Sequence, residues 1–184
     1  MRNLLPLWLV IVISSPLVAK ELSAEHQVKA LFLYNFANFI DWPKDAFRNE
    51  SDSIRMCLFG NVPFGGFLDV VNGTLIGDRR LQVFRTVELK NIKTGCHILF
   101  VGEDQKVNLP SFWNQIQYTY VLSIGEEQNF TDRGGIVNIM RTTDQVQFEI
   151  NISNADANEL RIGSDILSLA REIKRNLAVQ KPSQ

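Results

Sequence analysis

Three short apolar runs, each closed by a glycine, limit what this chain can fold into: IRMCLFG (54–60), CHILFVG (96–102) and YTYVLSIG (118–125). Runs of this length are too short for ordinary helices. With few polar positions to turn toward water, the first two read as buried strands, and the third is strand-like. Helical patterns lie between them. PFGGFLDVVNG (63–73) fits a short helix started by Pro63 and closed near Gly73, and LPSFWNQIQ (109–117) is helical as well. RLQVFR (80–85) alternates as a half-buried strand. Strands alternating with helices predict a partly parallel sheet covered by helices. After Gly125 the rhythm changes. GIVNIMRTTDQVQFEIN (135–151) holds two strands around a turn at 142–145, a hairpin signal. The chain closes with NADANELRIG and SDILSLAREIKRNLA. In the latter, Ser164 is expected to cap a helix whose stripe is Ile166, Leu169, Ala170, Ile173 and Leu177. The expected fold is α/β: a single layered domain with a mixed, partly parallel sheet flanked by helices, and a C-terminal β-hairpin plus helix. The 184 residues suit one domain, and the sequence shows no internal repeat or linker tract.

Ahead of these runs stands HQVKALFLYNFANFIDWP (26–43). Val28, Leu31, Phe32, Phe36, Phe39 and Ile40 follow helical spacing, and Leu33, Tyr34 and Ala37 widen the apolar surface beyond one stripe. Pro43 ends the helix, because the residue before a proline is pushed out of the helical region. Asn35 and Asn38 are expected to share a face and find partners inside the protein, with Trp42 packed over the helix end. A homodimer contact through the same surface is the alternative. Further upstream, MRNLLPLWLVIVISSPLVAK has a basic residue, an apolar run and small residues, the order of a secretory signal peptide. Cleavage near Ala19 would leave residues 20–184 as an exported domain, whereas an uncleaved leader would anchor the chain.

Composition excludes several functions. A net charge of −1 gives no field to gather nucleic acid or an anionic membrane. The two histidines, His26 and His97, form no metal spacing with Cys, Asp or Glu, so neither metal nor cofactor is expected. There is no Gly-x-Ser-x-Gly nucleophile elbow, and the one carboxylate pair, Glu103 and Asp104, reads as a solvated turn. No catalytic residue is assigned. GNVPFGG lacks the Gly-Lys-Ser/Thr ending of a phosphate loop, so Gly60, Gly65 and Gly66 mark either a plain turn or the mouth of a small-molecule pocket. Cys57 and Cys96 are the two cysteines. Export favours their pairing, and two buried thiols are the alternative. Four Asn-x-Ser/Thr triplets start at Asn49, Asn72, Asn129 and Asn151. In QVQFEIN, Val146, Phe148 and Ile150 point one way, and Gln147, Glu149 and Asn151 the other. Glu149 is then either exposed to water or held by a partner at a recognition surface.

VKALFLYNFANFIDWP, CLFGNVPFG, GCHILFVG, GGIVNI and VQFEIN, in this order, resemble the YfiR family of periplasmic proteins. The resemblance implies a non-enzymatic regulator that binds the periplasmic part of an inner-membrane diguanylate cyclase, lowering cyclic di-GMP and biofilm formation. It also implies release through an OmpA-like outer-membrane lipoprotein or redox stress, and a bridge between Cys57 and Cys96. Some relatives carry a second cysteine pair near the Gly-Gly stretch, where this chain has Thr131 and Asn138. Glu149 falls in the family's Phe-Glu-Ile-Asn motif, which implies a binding surface around Phe148, Glu149 and Asn151. The runner-up function is a small-molecule sensor acting on another membrane receptor, and a small secreted hydrolase is the third.

Overall fold

A computed structural model describes residues 16–92, 95–105, 108–115, 120–142 and 145–175, with side chains from residue 24 onward. The chain opens with helix α1 (Pro16–Asn38), β1 (Ile40–Asp41), β2 (Ile54–Phe59), a 3-10 turn (Gly65–Val71), β3 (Leu75–Ile76), β4 (Arg79–Thr86) and α2 (Leu89–Ile92). It continues through β5 (Ile98–Val101), α3 (Leu109–Gln115), β6 (Leu122–Gly125), a 3-10 turn (Thr131–Arg133), β7 (Val137–Arg141) and β8 (Val146–Asn151). Helix α4 (Ile152–Ala157), β9 (Arg161–Ile162), α5 (Ser164–Leu169) and β10 (Glu172–Lys174) complete the described residues.

Among those residues, eight strands form one sheet in the order β10-β8-β7-β6-β5-β2-β4-β3. From β4 to β7 every neighbour is parallel, while β7–β8 and β3–β4 are antiparallel. β1 and β9 pair separately. This is the mixed sheet expected from the alternating pattern, with the 135–151 hairpin at one side.

The central strands show why they had to be apolar throughout. In β2, Met56 and Leu58 enter one core cluster, and Cys57 and Phe59 enter the other. In β5, Ile98 and Phe100 divide from Leu99 and Val101 in the same way. Alternate side chains point to opposite faces, so a strand covered on both sides needs apolar residues at every position. Helix α1 covers the first face, where Leu33 and Phe36 have no exposure and the rings of Phe32 and Phe36 each meet Phe148 edge-on at 5.3 Å. Each such fully buried side chain contributes about 1.5–3 kcal/mol. α2 and α3 cover the second face, and there Cys57 and Cys96 are bridged, with Cα atoms 5.9 Å apart.

Four expectations need correction. α1 is covered mainly on one side, since Leu31 is 56% and Val28 40% exposed. Asn38 is exposed, and its amide donates to the Tyr34 carbonyl of the same helix at 3.1 Å. Trp42 reaches across to the segment before β6, where its indole N–H donates to Tyr120 O at 3.1 Å. The C-terminal helix is also shorter than its stripe suggests. It ends at Leu169, its N-cap is Gly163 without a side-chain bond, and Ile173 belongs to β10. Among the described residues of the stripe only Ile166 is buried, whereas Leu169 is 66% exposed. Pairing residues 172–174 with the open edge of β8 satisfies backbone groups that an extended helix would leave bare. Leu177 lies outside the described residues, as do the leader at 1–15 and the hairpin tip at 143–144.

Candidate functional site

The strand order fixes where a site can form. From β2 the chain crosses to β4 on one side, then returns to β5 on the other, so connections leave β2 and β5 in opposite directions. Ligands of open α/β sheets lie beyond the strand ends at such a reversal. Here a cavity of about 430 Å³ is walled by Asn61, Pro63 and Phe64 after β2, by Gly102, Glu103 and Asp104 after β5, and by Glu25, His26 and Lys29 of α1.

Close backbone approach shapes this end. Gly60 sits at φ +91°, and a Cβ there would collide with Gln105 Cγ and Asp104 Oδ1. A Cβ on Gly102 would lie 2.6 Å from Asn61 O. Asp104 is consumed locally, accepting from Asn61 N–H at 2.8 Å and from the Gln105 amide at 3.1 Å, so it is no free acid or base. Gly65 and Gly66 sit farther along, inside the 3-10 turn. The Gly65 carbonyl accepts from Arg85 Nη2 at 2.6 Å, and Gly66 faces open space.

A chain of charges spans the cavity. Lys29 Nζ lies 2.9 Å from both Glu25 Oε1 and Glu126 Oε1, and Arg141 Nη1 lies 3.1 Å from Glu25 Oε2. Burial pushes the Glu126 carboxyl above its ordinary range despite the attraction of Lys29. Glu25 feels the same upward push from burial, but Lys29 and Arg141 outweigh it and hold its carboxyl low. Burial lowers the affinity of Lys29 for its proton, yet the two carboxylates more than restore it. Glu25 Oε2 and Glu126 Oε1 are buried and held by these ion pairs.

A second cavity of about 400 Å³ shares Lys29, Glu103, Glu126 and Arg141 with the first and extends to Glu149. Glu149 is not water-exposed, as the alternation alone suggested, but 5% exposed. Its Oε1 accepts from the Thr131 hydroxyl at 2.5 Å and pairs with Lys174 Nζ at 3.3 Å. Lys174 also reaches Asp132 Oδ1 at 2.9 Å, and these carboxylates raise its pKa against the downward pull of burial. Asn138 approaches the same Glu149 oxygen, and with its amide turned over it donates to Gly125 O at 3.0 Å. The other two residues of the expected surface are interior. Phe148 is 2% exposed, and Asn151, fully buried, caps α4 by accepting from Asn154 N–H at 3.1 Å. Glu149 lines the second cavity.

The opposite end of the sheet carries a wider groove of about 710 Å³ beside His97, Arg55 and Tyr120. There His97 Nδ1 accepts from Arg55 N–H at 3.0 Å, which assigns the ring proton to Nε2 and lets it donate to Ala46 O at 3.0 Å. Burial holds the imidazole below its ordinary pKa. The ring stacks on Phe47 at 4.5 Å, so His97 is the satisfied core residue its apolar neighbours imply. Among the described residues, no group of three or more His, Cys, Asp or Glu could hold a metal ion, and no helix is long and apolar enough to cross a membrane.

Sequence reasoning missed Glu25, Lys29, Glu126 and Arg141. Glu25 and Lys29 carry a local signal, opposite charges four apart on a helix. Glu126 and Arg141 carry none, because only the parallel order β5-β6-β7 brings them to α1.

Comparison with known proteins adds a family. The profile described as YfiR/HmsC-like matches residues 26–171. No curated protein matches the chain. Among solved structures, a conserved domain protein from Vibrio cholerae O1 biovar El Tor strain N16961 aligns with TM-score 0.49 and 10% identity, over 67% of this chain and 55% of that one. The ABC domain in complex with L-Trp from Streptococcus pneumoniae aligns with TM-score 0.45 and 10% identity, over 66% and 55%. The aligned part is thus little more than half the length of either structure.

Proposed function

As the chain belongs to the YfiR/HmsC-like family of periplasmic regulatory proteins, we propose that it restrains an inner-membrane diguanylate cyclase by binding that enzyme's periplasmic part. Cyclic di-GMP and biofilm fall as a result, and the protein itself catalyses nothing. The single observation that carries this reading is the family match over residues 26–171. Export fits it. Cleavage near Ala19 would trim α1 to a start at Lys20, and the Cys57–Cys96 bridge suits an oxidising compartment. Within this reading Phe148, Glu149 and Asn151 shape the recognition surface from beneath. Glu149 and Asn151 tie down the 131–135 loop and β10, leaving Leu169 and Ile173 exposed beside them. An OmpA-like outer-membrane lipoprotein would compete for that surface and release the cyclase. A homodimer would use the exposed Val28 and Leu31 of α1, since Ala37 is buried.

The test is genetic and biochemical. Deleting the gene should raise cyclic di-GMP and thicken biofilm, and the exported protein should co-purify with a membrane-anchored cyclase. Unchanged cyclic di-GMP would refute the reading. A second reading, a small-molecule sensor acting on another membrane receptor, is supported by the cavity at the strand reversal beyond Gly60 and Gly102. That reading predicts thermal stabilisation by some member of a metabolite panel.

A further inference from the structure

We propose that the outer edge of β10 accepts an extended segment of another protein as an added strand, one with two acidic side chains four residues apart around a central apolar one. The proposal rests on the regulatory-binding reading above and names the chemistry of the segment held at that surface.

The backbone supplies the first requirement. β10 stands at the end of the sheet, beside β8 alone among the described residues. Arg171 N–H donates to Phe148 O at 2.9 Å, and Ile173 lies opposite Ile150. Successive residues of a strand turn their N–H and C=O groups to opposite sides. Arg171 and Ile173 therefore face β8, while Glu172 and Lys174 present theirs outward. An extended chain can bond to such an edge and extend the sheet.

Side chains supply the second. Ile173 is 43% exposed and shares the face of Ile150. Residues two apart lie on one face of a strand, so Arg171 and Arg175 flank Ile173 there, and both are exposed. Glu172 and Lys174 turn to the other face, where Lys174 reaches Asp132 and Glu149. Among the described residues neither Arg171 nor Arg175 enters an ion pair. The row reads basic, apolar, basic. A neighbouring strand sets its side chains directly opposite, and opposite charges attract across such a pair. The complement is acidic, apolar, acidic.

The same row argues against a second copy of this chain. Two β10 edges related by a twofold axis would run antiparallel and set Arg171 against Arg175 across the axis, like charge facing like. The far edge of the sheet lacks this character. There β3 covers the start of β4, Asn72 Oδ1 accepts from Val83 N–H at 2.9 Å, and Arg85 is paired with Asp69 at 2.7 Å. β10 is also fixed beforehand. Its ladder to β8 and the bonds of Lys174 to Thr131, Asp132 and Glu149 limit the ordering that a partner must impose.

The test is NMR titration of the full exported chain with two acetylated, amidated heptapeptides, Ser-Glu-Thr-Val-Thr-Glu-Ser and Ser-Lys-Thr-Val-Thr-Lys-Ser. The acidic peptide should shift the amide signals of 171–175 and bind about tenfold or more tighter than the basic one. Arg171→Glu combined with Arg175→Glu should reverse that order, and both side chains are exposed, so the fold is kept. Glu172→Pro should abolish binding of either peptide, since it removes an outward N–H and leaves the ladder to β8 intact. Equal binding of the two peptides, or acidic binding that survives Glu172→Pro, would overturn the proposal. So would acidic binding seen only after residues 176–184 are removed, because the chain's own end would then be the occupant. Silence from both peptides would overturn this edge and leave the cyclase reading to its genetic test. Reversal of the peptide order beside a failed genetic test would keep the edge and remove the cyclase.

Discussion

The two ends of the sheet use polar residues differently. At the end where β2 and β5 begin, His97 has both ring nitrogens bonded and lies beside the disulfide. At the end where the same strands finish, Glu25, Lys29, Glu126 and Arg141 are joined by ion pairs of 2.9 and 3.1 Å beside a cavity. A fully bonded buried polar group rigidifies a core, whereas ion pairs lining a cavity stay within reach of a binding partner. The contrast assigns stability to one end and recognition to the other.

The largest expected effect lies at the end that holds His97 and the disulfide. Replacing Cys57 and Cys96 together by Ala should cost about 4 kcal/mol, as the chain-entropy argument gives for a loop of roughly 40 residues. Denaturant midpoints with and without reductant measure it, and a loss below about 1 kcal/mol would dissolve the assignment of stability to that end. Next comes His97→Ala, which leaves Arg55 N–H and Ala46 O without their partner and should cost about 2–3 kcal/mol.

His97 also sets a pH dependence. It is held neutral in the fold, so the unfolded chain takes up its proton first as pH falls below about 6.5. The stabilisation is complete above that value and declines below it, and the groups facing the ring are Arg55, Arg79 and Asp52. Urea midpoints from about pH 8 to pH 5 should fall for the native chain and flatten in His97→Asn. At the other end, Glu126→Gln should change stability by less than about 1 kcal/mol, because losing the Lys29 attraction offsets relief of a buried charge. A loss as large as that of His97→Ala would erase the contrast. The smallest effect belongs to Leu31→Ser on the exposed side of α1, within about 0.5 kcal/mol by thermal melting.

How far the sequence could be read follows the same division. β2 and β5 were legible because a strand with both faces covered leaves no polar position, and Met56–Phe59 and Ile98–Val101 obey that rule. The alternation of β8 was legible too, but not the burial of Glu149 and Asn151, because the loop at 131–135 and β10 cover that face from distant parts of the chain. The C-terminal stripe misled because Ile166, Leu169 and Ile173 fit a helix locally, while an open strand edge offered Ile173 a ladder of bonds. The ion chain at the strand reversal joins three elements that no sequence period links.

β10 bears on how the molecule comes into being. Among the described residues it pairs with β8 alone, and it lies late in the chain, so during synthesis the hairpin arrives before the strip that shields it. Until then β8 presents a bare edge to any extended polypeptide nearby. Lys174, reaching back to Glu149, Thr131 and Asp132, acts as a latch thrown at the finish, and nascent chains stalled short of it should be the ones that aggregate or need a chaperone.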